Sequence, residues 1–427
     1  MKKSSTFPVD NFNAIKIKML NWANQFGIFC LLDNQHYRFE QPAFECLLAV
    51  GCKRKVETAA GNAFEKLKQF KREEDEWLFG HLCYDIKNET EQLSSNNFDG
   101  IRFPDMYFFV PEIVIQLTEN EMLLFCEDGQ AVQIFAAIQS CATVTANTIV
   151  KPFSINSRIS KEIYISTINK LLAHIARGDC YEINFCQEFF AENAIIDPLE
   201  VYQKLSAISP NPFAALYKLE NKYCICASPE RYLKKTGNKI FSQPIKGTAV
   251  RKPGNSQSDE ISKQLLQNSA KEKSENVMVV DLVRNDLSKI CKEGTVKVDE
   301  LFGIYSFPQL HQMISTISGQ MEDNKDWVDA VKATFPMGSM TGAPKKKVME
   351  LIEQYEQTKR GLFSGTIGYI KPGGDFDFNV VIRSILYNAS DNYLSFQAGS
   401  AITFHSDPEE EYEECLLKAA AIKKVLE

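Results

Sequence analysis

Two short apolar runs, Phe213 to Leu219 and Lys222 to Ala227, are separated only by Glu220-Asn221. Two residues suffice to reverse a strand and are far too few for a crossover, so these runs are expected to pair antiparallel. The same grammar recurs along the chain. Met106 to Val110, Ile113 to Leu117 and Glu121 to Phe125 read as strands, and Gly27 to Asp33 is a short apolar run ending in turn chemistry. In Cys180 to Phe190, Tyr181, Ile183 and Phe185 alternate with Glu182, Asn184 and Cys186. Ser364 to Ile370, Phe376 to Leu386 and Tyr393 to Gln397 complete the strand pattern. Helical patterns cover Ala59 to Glu76, Ile159 to Arg177 (ending at Gly178), about Asp259 to Ile290, Lys346 to Gln357 and Pro408 to Leu426. Many strands joined by short turns predict an α+β fold of large antiparallel sheets flanked by helices.

With 427 residues the chain is long enough for a large core. A Ser/Ala/Thr-rich stretch near Ala142 to Thr148 is the best boundary and divides residues 1–145 from 146–427. The net charge of −7 argues against a general nucleic-acid binder, which needs a basic face. It leaves room for an anionic small molecule in a locally positive site. The twelve cysteines include Cys224-Ile225-Cys226, but CxxC metal spacing is absent. They read as small core residues in a reducing cytoplasm. No run approaches the ~18 apolar residues of a membrane span.

Several residues suggest chemistry. Gln243-Pro244-Ile245-Lys246-Gly247-Thr248 sets one lysine in a glycine-punctuated turn, sixteen residues after Glu230 of Ser228-Pro229-Glu230. A nucleophilic lysine must lose its proton, which takes burial or a nearby cation. Glu230 is a general acid if its surroundings raise its pKa, or else an ion-pair partner of Arg231 or another base. Glu272 and Glu275 lie three apart on one predicted helix, and Glu411 and Glu414 three apart on the last, with Lys418 one turn on. Four carboxylates from two helices suit Mg²⁺. The competing account is capping: Asp407 as N-cap, Pro408 at the first helical position, Glu410 completing a capping box and acid complementing the dipole.

Gly338 to Lys345 and Ala398 to Ala401 are small-residue stretches able to offer backbone N–H groups to an anion. Arg383, on the predicted strand Phe376 to Leu386, shares a face with Val381 and Asn379. It needs an anionic partner, either a ligand carboxylate or a structural salt bridge.

These segments together resemble the chorismate-utilising enzymes, which include anthranilate synthase component I, aminodeoxychorismate synthase component I and the isochorismate and salicylate synthases. The likeness is strong from about Ser157 onward. It rests on Ser228-Pro229-Glu230-Arg231, Pro244 to Thr248, Asp281 to Leu287, Gly338 to Lys345, Gly365 to Tyr369, Ile382-Arg383-Ser384 and Glu411 to Glu414. The resemblance implies a sandwich of two large antiparallel sheets with helices outside, built from both ends of the chain. It implies chorismate as substrate with Mg²⁺ on Glu275 and Glu414, supported by Glu272 and Glu411. Thr248, Tyr369, Arg383, Gly399, Ala401 and Lys418 are then the substrate-binding positions, and Glu230 the general acid.

Within that family, lysine in this motif marks the aminodeoxychorismate synthases, where anthranilate and isochorismate synthases usually carry alanine. The implied reaction is attack of Lys246 on C2 of chorismate, then displacement at C4 by ammonia from a separate glutamine amidotransferase. The product, 4-amino-4-deoxychorismate, leads to 4-aminobenzoate and folate. Anthranilate synthase component I is the alternative, and a non-catalytic paralogue a more distant one. Isochorismate synthases carry a lysine where this chain has Glu182. Gln312 stands where the family has a histidine, with His311 beside it. Ala401 and His405 replace the usual glycine and aspartate. Leu31-Leu32-Asp33-Asn34 lacks the serine of the anthranilate synthase feedback motif, so tryptophan inhibition is not expected.

Overall fold

The computed structural model describes residues 4–37, 43–72, 75–143, 152–252, 254–307 and 310–427. Among these residues the strands form two sheets, one of twelve and one of ten. The expected hairpin is present: Phe213–Leu219 pairs antiparallel with Lys222–Ser228, and Glu220 takes φ +53° at the turn.

Residues before the predicted boundary enter both sheets. Ile28–Asp33 pairs with Phe213–Leu219 in the twelve-stranded sheet, and Leu78–Leu82 pairs with Thr366–Ile370 in the ten-stranded one. Most of the boundary stretch, from residue 144, lies outside the described residues.

Period-two patterning explains why two sheets suffice for one fold. Leu31, Leu216, Ile225 and Phe185 point one way, into a core capped by helices such as Lys161–Ala176 and Pro408–Leu426. Cys30, Tyr217, Cys224 and Cys226 point the other way and meet Phe79, Phe108, Leu233 and Phe378 of the second sheet. All twelve cysteines are unpaired, and ten are buried.

Two predicted elements are interrupted. The helix expected over 259–290 is two helices, Ser256–Asn268 and Ala270–Ser288. Ser269 between them is extended (φ −64°, ψ 115°), and its Oγ accepts from Glu272 N at 3.3 Å. A serine that caps competes with helix continuation, and no apolar period reveals that. The strand expected over 376–386 is likewise two. Phe376–Asn379 lies in the ten-stranded sheet and Ser384–Asn388 in the twelve-stranded one. Arg383 is therefore not on a strand; it sits in the crossing with φ +51°, in the left-handed region that is uncommon for an arginine.

A second crossing runs alongside it. Lys222–Ser228 belongs to one sheet, Arg231–Thr236 to the other, with Pro229-Glu230 between. The two crossings are tied by Val380 N to Glu230 O (3.0 Å) and Ala227 N to Arg383 O (3.2 Å). Thus Glu230 and Arg383, far apart in sequence, are brought together where the chain changes sheets twice.

Candidate active site

Lys246 lies on Ile245–Val250, the edge strand of the ten-stranded sheet, and Glu182 begins Glu182–Ala191 near the edge of the other. Both side chains are buried, and Lys246 Nζ donates to Glu182 Oε1 at 2.6 Å. Burial pulls the Lys246 pKa down, but Glu182, Glu275 and Glu230 outweigh it and hold the amine above its usual value. The resting lysine is an ammonium. The other oxygen of Glu182, Oε2, is buried and has no donor among the described residues.

Glu230 is 4% exposed. Burial raises its pKa to about 7, against the lowering pull of Ser339, Lys246, the Ile245 backbone and Arg383. Ser339 Oγ donates to its Oε1 at 2.5 Å. The carboxyl is therefore poised to give a proton near neutrality. Arg231 is not its counter-ion, since that guanidinium is committed to Asp377.

Arg383 resolves the alternative left open by the sequence. No carboxylate among the described residues lies within ion-pair distance of its guanidinium. Burial lowers its pKa to about 10, and Glu230 is the one charge that opposes this. A guanidinium with no ion-pair partner among the described residues, beside the Glu230 carboxyl, suits the carboxylate of a ligand.

The two acidic helices meet through one ion pair. Lys271 Nζ lies 3.8 Å from Glu411 Oε1, linking Ala270–Ser288 to Pro408–Leu426. Burial lowers the Lys271 pKa, while Glu411, Glu275, Glu414 and Glu272 together raise it above its usual value. All four glutamates thus surround one lysine. Burial lifts Glu275 to about 7 and also raises Glu272. Glu275 Oε1 and Glu411 Oε2 are buried without donors among the described residues. Among the described residues no group of three or more His, Cys, Asp or Glu side chains is placed to hold a metal ion as it stands. The N-cap accounts for the first turn: Asp407 accepts from Glu409 N and Glu410 N. It leaves the two orphaned oxygens unexplained, and these suit a hard cation. Gly247, at φ +96°, allows this approach, because a Cβ there would lie 3.0 Å from Glu272 Oε2.

The remaining predicted positions divide. Thr248 is on the Lys246 strand, solvent-exposed, beyond a bulge between Ile245 and Thr248. Gly399 and Ala401 lie within Tyr393–Thr403, opposite Cys186 and Asn184 of the Glu182 strand. A Cβ at Gly399 would fall 1.9 Å from Phe185 O, so only glycine permits this strand contact. Lys418 is engaged by Glu414 Oε1 at 2.7 Å and by Gly399 O at 2.9 Å.

Tyr369 stands apart from the other predicted positions. It lines a cavity with Asp33, Asn34, Phe44, Phe213 and Asp377, and packs on Trp77 and Phe79. Lys246, Glu230, Glu275 and Arg383 do not line that cavity. The Gly365–Tyr369 motif fixed the strand without indicating which cavity its tyrosine enters.

Sequence reasoning also missed two roles. In Gly338 to Lys345 the Ser339 side chain, and not only the backbone, matters: it donates to the Glu230 carboxyl, and Gly342–Ala343 pairs with Glu182–Ile183. Glu182 was read only as a departure from lysine, and it is the direct partner of Lys246. His311 is committed to Asp259 (3.2 Å) and Ser306 (2.8 Å), so its ring belongs to the opposite face from Gln312. Gln312 is buried, with Oε1 lacking a donor among the described residues.

Known proteins match this arrangement. The family model for chorismate binding enzymes matches residues 28–424. Aminodeoxychorismate synthase component 1 of Escherichia coli K12 is 33% identical over 353 residues, 82% of this chain and 76% of that protein. The Bacillus subtilis protein of the same name is 30% identical over 368 residues, again 82% and 76%. The chain spans only 39% of the Arabidopsis thaliana chloroplastic aminodeoxychorismate synthase, to which it is 39% identical. An anthranilate synthase component I-like protein of Synechocystis is 34% identical, over 82% of this chain and 72% of that protein. In fold, anthranilate synthase component I from Streptococcus pneumoniae superposes with a TM-score of 0.77 at 23% identity, over 92% and 95% of the two chains. The family model covers nearly the whole chain, and the protein belongs to the chorismate-binding enzyme family.

Proposed function

We propose that the chain is component 1 of an aminodeoxychorismate synthase, converting chorismate and ammonia to 4-amino-4-deoxychorismate. The observation that carries this reading is the buried amine of Lys246, bonded to Glu182 in the same cluster as a carboxyl with a pKa of about 7. A nucleophile and a general acid there support two successive displacements. Lys246 attacks C2 while Glu230 gives its proton to the departing 4-hydroxyl, which leaves as water. Ammonia then attacks C4 and expels the lysine. Arg383 suits a substrate carboxylate, and burial of the site keeps bulk water from competing with ammonia.

A divalent cation of the Mg²⁺ class fits the orphaned oxygens of Glu275 and Glu411, with Glu272 and Glu414 beside them. When bound it supplies positive charge for a second substrate carboxylate. The name component 1 carried by the bacterial relatives implies a partner component, and a glutamine amidotransferase supplying ammonia suits the chemistry. No helix among the described residues is long and apolar enough to cross a membrane.

The test is product identity. The purified chain is incubated with chorismate, Mg²⁺ and ammonium, with and without an added aminodeoxychorismate lyase. 4-Aminobenzoate formed only with the lyase supports the reading. Anthranilate formed without it assigns the chain to anthranilate synthesis, the reading suggested by the Synechocystis relative's name.

A further inference from the structure

The proposed reaction leaves one problem unsolved. Lys246 must attack as a free amine, yet in the resting site it is an ammonium among Glu182, Glu275 and Glu230. Its proton needs an acceptor inside a site that buries the lysine to 9% exposure. Glu230 is unsuitable, because it must itself be protonated to release the 4-hydroxyl. Glu275 belongs to the carboxylate group suited to the cation. Glu182 remains. Its Oε1 already takes the hydrogen bond from Nζ at 2.6 Å, and it comes from the opposite sheet. Its Oε2 is buried with no donor among the described residues, so that oxygen is not occupied by a hydrogen bond from them.

Resting on the aminodeoxychorismate reading, we propose that Glu182 is the proton acceptor that frees Lys246 for attack and keeps that proton until the lysine leaves. The protons balance over a full turn. Nζ–H of the ammonium passes to Glu182, giving a neutral amine and a neutral carboxyl. The amine forms the N–C2 bond as the C4–O bond breaks, and Glu230 supplies the proton that makes the leaving group water. Ammonia forms the N–C4 bond as the C2–N bond breaks, returning Lys246 as a neutral amine. The new C4 ammonium reprotonates Glu230, and Glu182 returns its proton to Lys246. The sum is chorismate plus ammonia giving aminated product plus water, with both acids restored. Because the first transfer is internal to the pair, it exchanges no proton with solvent.

The experiment compares Glu182→Gln, Glu182→Asp and Lys246→Ala with the wild-type chain, using chorismate, Mg²⁺ and ammonium. Chorismate binding, steady-state turnover from pH 6 to 9, and the intact mass of protein held with chorismate but no ammonia are measured. In Glu182→Gln the amine can lose its proton only to solvent. Turnover at pH 6 is therefore expected to fall about 100-fold, the lower end for loss of a general base, and to recover as pH rises. Chorismate binding should stay within about threefold, and the covalent mass increment should appear only at alkaline pH. Glu182→Asp, which keeps a carboxylate, should restore much of the turnover at pH 6 and tests the idea even if the glutamine variant fails to fold. The proposal is overturned if Glu182→Gln turns over at the wild-type rate with the wild-type pH profile, or if it is faster at every pH. The second result would make Glu182 a restraint on the lysine. Lys246→Ala separates the two layers: wild-type turnover in that variant removes the underlying reading, whereas an inactive Lys246→Ala beside an unaffected Glu182→Gln removes only the role of Glu182.

Discussion

Two buried clusters in this molecule each set basic against acidic side chains and differ in how completely they are satisfied. Around Arg231, the guanidinium is bound by both oxygens of Asp377 (2.9 and 3.0 Å) and by Gln243 Oε1 (2.7 Å), with its plane over Phe213. Around Lys246, the glutamates outnumber the lysines, and Glu182, Glu275 and Glu411 each keep a buried oxygen without a donor among the described residues. Folding alone gives no reason to retain such groups, because an unsatisfied buried polar atom costs free energy. The saturated cluster ties three neighbouring strands of the ten-stranded sheet to one another; the unsaturated one is arranged for something the chain itself does not supply.

That contrast breaks most sharply at Lys246. Replacement by alanine is expected to lower turnover by at least about 1,000-fold, because the covalent route is lost, while circular dichroism and the unfolding midpoint stay close to wild type. Glu230→Gln removes the general acid and should reduce turnover about 100- to 10,000-fold. In the wild type, Glu230 must be protonated to act, so the Glu230-dependent step should slow as pH rises through about 7. A pH–rate profile with no falling limb near there would count against the assignment.

The saturated cluster should answer in stability. Asp377→Ala leaves the Arg231 charge buried and uncompensated, and a loss of about 3–5 kcal/mol is expected from urea unfolding.

A smaller effect concerns pH and the cation. Glu275 has a folded pKa raised to about 7, mainly by burial, above its unfolded value near 4.5. A raised group contributes stability below the unfolded pKa and loses it as pH rises through the folded one. Without divalent cation, the unfolding temperature should therefore drop between pH 6 and pH 8. Added Mg²⁺ should recover part of that drop in the wild type and less in Glu275→Gln. The smallest effect is expected at Tyr369. Tyr369→Phe should leave chorismate turnover within about threefold, since that ring lines a different cavity; a large loss would bring Tyr369 back into the active site.

How much of this was legible beforehand follows from the range of the signals. Sheets, hairpin and most helices are local: apolar period and turn residues reveal them. The pairing of Glu272 with Glu275, and of Glu411 with Glu414, is also local, because i and i+3 share a helical face. The interruptions at Ser269 and at Val380 to Arg383 were hidden, since an apolar run reads alike whether it stays in one sheet or crosses to another. The cavity that Tyr369 lines is hidden for a similar reason, its motif specifying a strand and not the cavity beside it.

By itself, then, the amino-acid sequence determined the family and the strand-and-turn architecture and singled out Lys246, because these depend on residue type and short spacing. Only the tertiary structure decided the protonation chemistry. Glu182 and Lys246 stand sixty-four positions apart, and Glu230 and Ser339 one hundred and nine. Whether a lysine is charged and a carboxyl neutral depends on which groups the fold buries within a few ångströms of each other.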